Sequence, residues 1–208
     1  PGTQTRKIGD LFASFMDTDR VSALGAAPLQ DTLAEIDAIA DIPSFLRTAG
    51  AYERDGRAHL LGFFVEPDPG NPERYVPFLV QAGLSLPDES YYRLETFAGT
   101  RAAFRAHLER LLALAGVPEA GGNADRVVSI EAEIATHHWD NVRSRDAMAT
   151  YNLKTWDEIQ ALAGVDLAPW RDATAPEHPE AFAEVVAYQP SFLEGLGTLL
   201  VAERLEEW

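Results

Sequence analysis

The chain has 208 residues, 46% hydrophobic content, no cysteine and a formal net charge of −16 at pH 7. That length gives one large or two small folded units with a real core. The missing thiols exclude disulfides and thiolate metal sites. So acidic a surface repels phosphate backbones and anionic lipid, so neither nucleic acid nor a membrane is an expected partner.

Residues 5–16, TRKIGDLFASFM, set Ile8, Leu11, Phe12, Phe15 and Met16 at helical spacing. Asp17-Thr18-Asp19 supplies capping side chains for a short second helix that Gly25 ends after Leu24. Pro28 opens a third, striped by Leu29, Leu33, Ile36 and Ile39, and a further helix follows Pro43 with Phe45, Leu46 and Tyr52. Within residues 59–92 the pattern changes. Two apolar runs, Leu60 to Val65 and Tyr75 to Val80, flank the turn-rich Pro67-Asp68-Pro69-Gly70-Asn71-Pro72, which predicts a β-hairpin. Pro77 cannot donate to a ladder, so the second strand is expected at an edge or a bulge. A lone hairpin is marginal and is expected to lie on helices.

The spacing predicts a long helix over 96–115, with Phe97, Phe104, Leu108, Leu111 and Ala115 on one face and Gly116 as its stop. Gly121-Gly122-Asn123 reads as a loop and a second long helix starts near Ala124. Asn152 to Thr155 interrupts the pattern. Thr155 caps a short helix with Trp156, Ile159 and Leu162, closed by Gly164. Three prolines make 165–179 read as loop and single turns. Pro190 opens a last helix with Phe192, Leu193, Leu196, Leu199, Leu200 and Leu205. The expected fold is mainly α: one multi-helix domain over 1–208 with one small β-hairpin packed on it.

The helix from Ala124 carries an apolar face of Val127, Val128, Ile130, Ile134, Ala135 and Val142. Glu131, His138 and Arg145 recur within it every seven residues. Charge on a buried face needs partners, so these three are expected to form a structural polar network. Glu133, His137 and His138 form E-x-x-x-H-H, which lacks the two imidazoles one turn apart of HExxH. His59, His107 and His178 have no ligand-like spacing. No G-x-G-x-x-G, phosphate-binding loop or G-x-S-x-G elbow occurs. Asp88-Glu89 and Glu206-Glu207 read as solvated acids. Tyr91-Tyr92 could line a cavity, or anchor a loop to the core. No catalytic residue and no metal ligand is identified, so neither a cofactor nor activity is expected of this chain alone.

Several stretches together carry a family resemblance. KIGDLFASFM and LGAAPLQ, then FFVEPDPGNPERYVPFLVQAGLSLPDESYY, IEAEIATHHWDNVRSRDAMATYNLKTWDEIQAL and VVAYQPSFLEGLGTLLVAERLEEW, follow the order and spacing of neprilysin and endothelin-converting-enzyme-like zinc metallopeptidases. The signature positions are Leu86, Pro87, Asp88, Tyr91, Tyr92, Arg145, Asp146, Tyr151 and Asn152. The resemblance implies a non-catalytic N-terminal helical region that lids a catalytic domain and restricts access of peptides to it. The catalytic domain and peptide substrates are then the expected partners. Zinc, HExxH and an Asn-Ala-aromatic substrate motif are implied only for the full-length enzyme; Asn123-Ala124-Asp125 falls in the wrong place for that motif. Met148 departs from the charged residue frequent in the family, and the lack of cysteine suits a bacterial member. Both ends read as cut, since the chain opens on Pro-Gly and stops at Glu-Glu-Trp within a helical pattern. Two other readings stay open: a helical protein-interaction module without catalysis, and a stand-alone enzyme. The polar start and the missing cysteine fit a cytoplasmic or a secreted protein.

Overall fold

The computed structural model describes residues 3–57 and 60–208; His59 lies outside them. The chain is mainly helical around one small sheet. α1 (Gln4–Met16), α2 (Thr18–Leu24) and α3 (Gln30–Asp37) come first, and no described residue before Ile42 is buried. α4 (Ile42–Arg54) starts on a capping box between Asp41 and Ser44, and buries Ile42, Leu46 and Gly50.

β1 (Leu61–Asp68) and β2 (Asn71–Gln81) form the expected antiparallel hairpin. It does not stand alone. β3 (Leu153–Thr155) and β4 (Glu184–Ala187) extend it to a four-stranded sheet in the order β1-β2-β4-β3. Strands this short show no alternation that a periodicity reading could detect. β2 is thus interior, pairing with β4 in parallel at Phe78↔Val186 and Leu79↔Ala187. That ladder begins just past Pro77, so the missing N–H falls where β2 has only β1 beside it.

α5 (Ser90–Arg93) precedes α6 (Ala98–Ala115) and α7 (Ala120–Thr136). The α6 face meets α7 without burying any residue fully, and Leu111 and Leu114 stay exposed. Arg105 joins the two helices through Asp125 (2.7 and 3.1 Å) and the Gly121 carbonyl (3.1 Å). Gly121, Gly122 and Asn123 lie inside α7 rather than in a loop; the Asn123 amide donates to the Pro118 carbonyl (2.9 Å) and secures that first turn. α7 stops at Thr136, so the expected continuation through Arg145 is wrong. Asp140 breaks it: its Oδ1 accepts from the N–H groups of Val142 and Arg143 (2.8 Å each), a turn that competes with helix.

After α8 (Ala147–Thr150) and β3, α9 (Trp156–Ala163) starts on the expected Thr155 cap, which forms a capping box with Glu158, and ends on Gly164 in the left-handed region. The stretch 165–179 contains α10 (Ala168–Thr174), in which Pro169 starts the helix instead of breaking it. α11 (Pro190–Leu199) is followed by a 3-10 stretch, Ala202–Glu207. Leu46, Leu61, Leu79, Ile159, Trp170, Val185, Phe192 and Leu196 fill the main core between sheet and helices. α4 and α10 cross so closely at Gly50 that an added Cβ would lie 2.3 Å from the Trp170 carbonyl.

Candidate functional site

The signature segment Gly83 to Tyr92 is a loop folded onto α7. Gly83 turns it with φ +85°, a backbone state that favours glycine. Asp88 then pins its own turn: Oδ1 accepts from the Ser90 N–H (2.9 Å) and Oδ2 from the Asn141 amide (2.9 Å). These bonds hold the Asp88 carboxyl below the usual carboxylate range, the Ser90 hydroxyl contributing most. Glu89 forms a two-bond ion pair with Arg93 (2.9 and 3.1 Å). Tyr91 stacks on Phe97 with centroids 4.0 Å apart. It anchors the loop.

Glu131 is buried on α7 and faces this loop. Its carboxylate accepts from the Tyr92 hydroxyl, the Ser85 hydroxyl (2.7 Å) and the Ser85 N–H (3.2 Å). The Tyr92 oxygen in turn accepts from the Leu86 N–H (3.0 Å). Burial first, then the Glu131 carboxylate, pushes the Tyr92 phenol well above its ordinary value. Glu131→Ala removes the acceptor for three donors and leaves them poorly placed for water, a loss of about 2 kcal/mol. Thermal unfolding of the variant should show it, and Glu131→Gln, which still accepts, should lose less.

His138 is half-buried beyond the end of α7, edge-on to Phe192 and 3.0 Å from the Ala82 carbonyl, to which Nε2–H donates. Arg145 lies exposed on a separate 3-10 turn, so the structure does not bring the three heptad-spaced residues together. Burial holds the His138 imidazole below its ordinary 6.5, against the opposing pull of the Ala82 carbonyl. The unfolded chain therefore takes up this proton first as pH falls. The stability is fully present above about pH 6.5 and is lost as pH drops toward the lowered value. Melting temperatures between pH 7 and pH 5 should thus fall more steeply for the wild type than for His138→Gln. The depressed carboxyls Asp68 and Asp88 act in a separate, lower window.

The remaining signature residues are also structural joints. Asp146 caps α8 through the N–H groups of Met148 and Ala149. The Tyr151 hydroxyl donates to the buried Asp68 at the hairpin turn (2.6 Å), where Arg74 also binds (2.8 Å). Asn152 donates to the carbonyls of Ala149 (2.7 Å) and Ala187 (3.2 Å), joining α8 to β4. Sequence reasoning did not identify Asp68, Arg74 or Ser85, whose roles depend on partners distant in the chain.

The residues with the nearest likeness to a zinc site do not fit one. Both Glu133 oxygens are held by Arg204 (2.8 and 3.1 Å), and the His137 ring is pressed against Gly195. Among the described residues no three His, Asp or Glu side chains are grouped to hold a metal ion. No helix among them is long and apolar enough to cross a membrane. An apolar cavity of about 690 Å³ is lined by Ile36, Ile39, Phe45, Tyr52, Leu60 and Trp208.

Comparison with known proteins places this architecture. The profile of peptidase family M13, in its N-terminal part, matches residues 1–208. The rat endothelin-converting enzyme-like 1 is 28% identical over 177 residues, covering 77% of this chain and 23% of its own. The inhibitor complex of the Mycobacterium tuberculosis zinc metalloprotease ZMP1 is 37% identical. It superposes with a TM-score of 0.91 over 99% of this chain and 32% of its own. The open state of that protease superposes with a TM-score of 0.90. The chain thus spans about a quarter to a third of these relatives. It belongs to peptidase family M13, the zinc metallopeptidases related to neprilysin, and corresponds to their N-terminal helical region.

Proposed function

We propose that this chain is the non-catalytic lid region of a zinc metalloendopeptidase, restricting which peptides reach an active site carried by the rest of the polypeptide. One observation carries the reading. The whole chain follows the N-terminal part of the family, while its polar clusters at Glu131 and Glu133 are joints of the fold with every carboxylate oxygen engaged. A base or nucleophile needs an oxygen free for substrate or its proton; in these two groups every oxygen is already bonded. The zinc, the water it activates and the general base belong to the other part.

The test compares the full-length protein with this chain alone on substrates of increasing size. The full-length protein should cleave short peptides, lose that activity to a chelator and spare folded proteins; this chain should cleave none of them. Chelator-sensitive cleavage by the chain itself would overturn the reading and favour a stand-alone enzyme. The exposed apolar face of α1 also suits an interaction module without catalysis. That alternative requires a stable separate partner and a gene without a catalytic half.

A further inference from the structure

Residues 3–39 form an arm whose hydrophobic face is left uncovered by the other described residues. On α1, Ile8, Leu11, Phe12, Phe15 and Met16 occupy one face and are 69%, 72%, 65%, 79% and 55% exposed. Val21, Leu24 and Leu29 continue the apolar surface beyond α1. Among the described residues, the side-chain hydrogen bonds and ion pairs of residues 3–29 all stay within that stretch. The arm meets the body only further on, where Glu35 accepts from the Tyr52 hydroxyl (3.0 Å) and approaches Arg57 (3.6 Å). An isolated helix of 13 residues is marginal in water, and an amphipathic one is ordinarily stabilised by what its apolar face packs on. Five large apolar side chains, each more than half exposed, exceed the few hundred Å² or so that a soluble monomer leaves uncovered.

The occupant follows from the comparison. The M. tuberculosis protease superposes over 99% of this chain with a TM-score of 0.91. The arm is about a fifth of the chain, so a displaced arm would not allow that score. It holds the same place in a polypeptide of which this region is only 32%. The arm also leads directly into the apolar cavity, whose wall includes Ile36 and Ile39 from the arm and Trp208 from the body.

We propose that the face Ile8, Leu11, Phe12, Phe15 and Met16 is a clasp that docks on an apolar surface of the remaining polypeptide of the same protein. The proposal rests on the reading of this chain as one region of a longer peptidase. The clasp is hydrophobic rather than ionic: α1 carries only Arg6, Lys7 and Asp10 as charges, and Arg6 is paired with Asp10 (3.5 Å). Its attachment is therefore insensitive to salt, unlike contacts made by the acidic remainder.

The intact protein and this chain alone are each prepared with Phe12→Asp/Phe15→Asp. Trypsin cleavage at Arg6, Lys7 and Arg20 is followed together with thermal unfolding. In the intact wild type the arm should be protected, and the substitutions should raise its cleavage rate at least about tenfold and lower the melting temperature. In the isolated chain the arm should be cut rapidly with or without them, and Val142→Asp/Met148→Asp, at equally exposed apolar sites elsewhere, should change nothing in either protein. Equal arm cleavage in intact wild type and variant would overturn the clasp. So would a dimer of intact protein that the arm substitutions dissociate, since the occupant would then be a second copy. Chelator-sensitive peptide hydrolysis by the intact protein, measured on the same samples, separates failure of the clasp from failure of the peptidase reading.

Discussion

Gly197→Ala should be the most damaging single methyl added to this chain. A Cβ at Gly197 would lie 1.6 Å from the Ala163 carbonyl oxygen and 2.7 Å from its carbon. Both atoms are backbone, so no side chain can turn aside. The last turn of α9 and the second half of α11 would have to separate, and Ile159, Phe192, Leu193 and Leu196 would lose contact in the core. Overpacking ordinarily costs about 1–3 kcal/mol, and a backbone-to-backbone clash belongs at or above the top of that range. Urea unfolding should show a loss of about 3 kcal/mol or more, or no folded protein. Gly99→Ala and Gly122→Ala are the controls. They also sit within helices, but nothing lies within 4 Å of an added Cβ. There alanine should be neutral or stabilising by up to about 1 kcal/mol, through better helix propensity and a less free unfolded chain.

Trp170→Ala should come close to unfolding the protein. Trp170 has no exposed surface and meets Phe63 and Phe182 edge-to-face, with centroids 6.2 and 5.9 Å away. It stands where α10 crosses α4 and sheet side chains, so its removal leaves a cavity that three elements border. Such truncations cost about 3–5 kcal/mol, a large part of the 5–15 kcal/mol or so that a domain has. Trp170→Phe should cost much less. It keeps an aromatic ring, and the indole N–H has no hydrogen-bond partner to lose among the described residues. The ordering of wild type, Phe and Ala variants by denaturation midpoint checks both statements. An alanine variant as stable as the phenylalanine one would show that the site collapses without a cavity.

The four residues of the Glu131 cluster illustrate how function-like patterns arise from folding alone. Ser85, Leu86 and Tyr92 come from a loop with little backbone pairing of its own, and the buried carboxylate of Glu131 supplies the acceptor they need. The Asp68, Arg74 and Tyr151 cluster does the same for the hairpin turn. Joints of this kind between distant segments hold the region rigid.

Local chemistry alone determined the helices with strong periodicity or explicit caps. α1, α4, α6 and α9 all lay where spacing, Asp41, Thr155 and the stop glycines set them. So did the hairpin, because Pro, Asp, Gly and Asn leave the chain few other ways to connect two apolar runs. Tertiary contact decided the rest. β3 and β4 are strands only because β2 offers a free edge beyond Pro77. α10 forms under three nearby prolines because burying Trp170 outweighs a weak local signal. α7 ends at Thr136, and Arg145 leaves the face its spacing assigned, because the Asp140 side chain bonds to backbone that a helix would use. Which apolar face is core and which is left open on α1 was equally beyond the sequence. A hydrophobic stripe specifies that something covers it, whereas only the arrangement in space shows whether that partner lies within the same 208 residues.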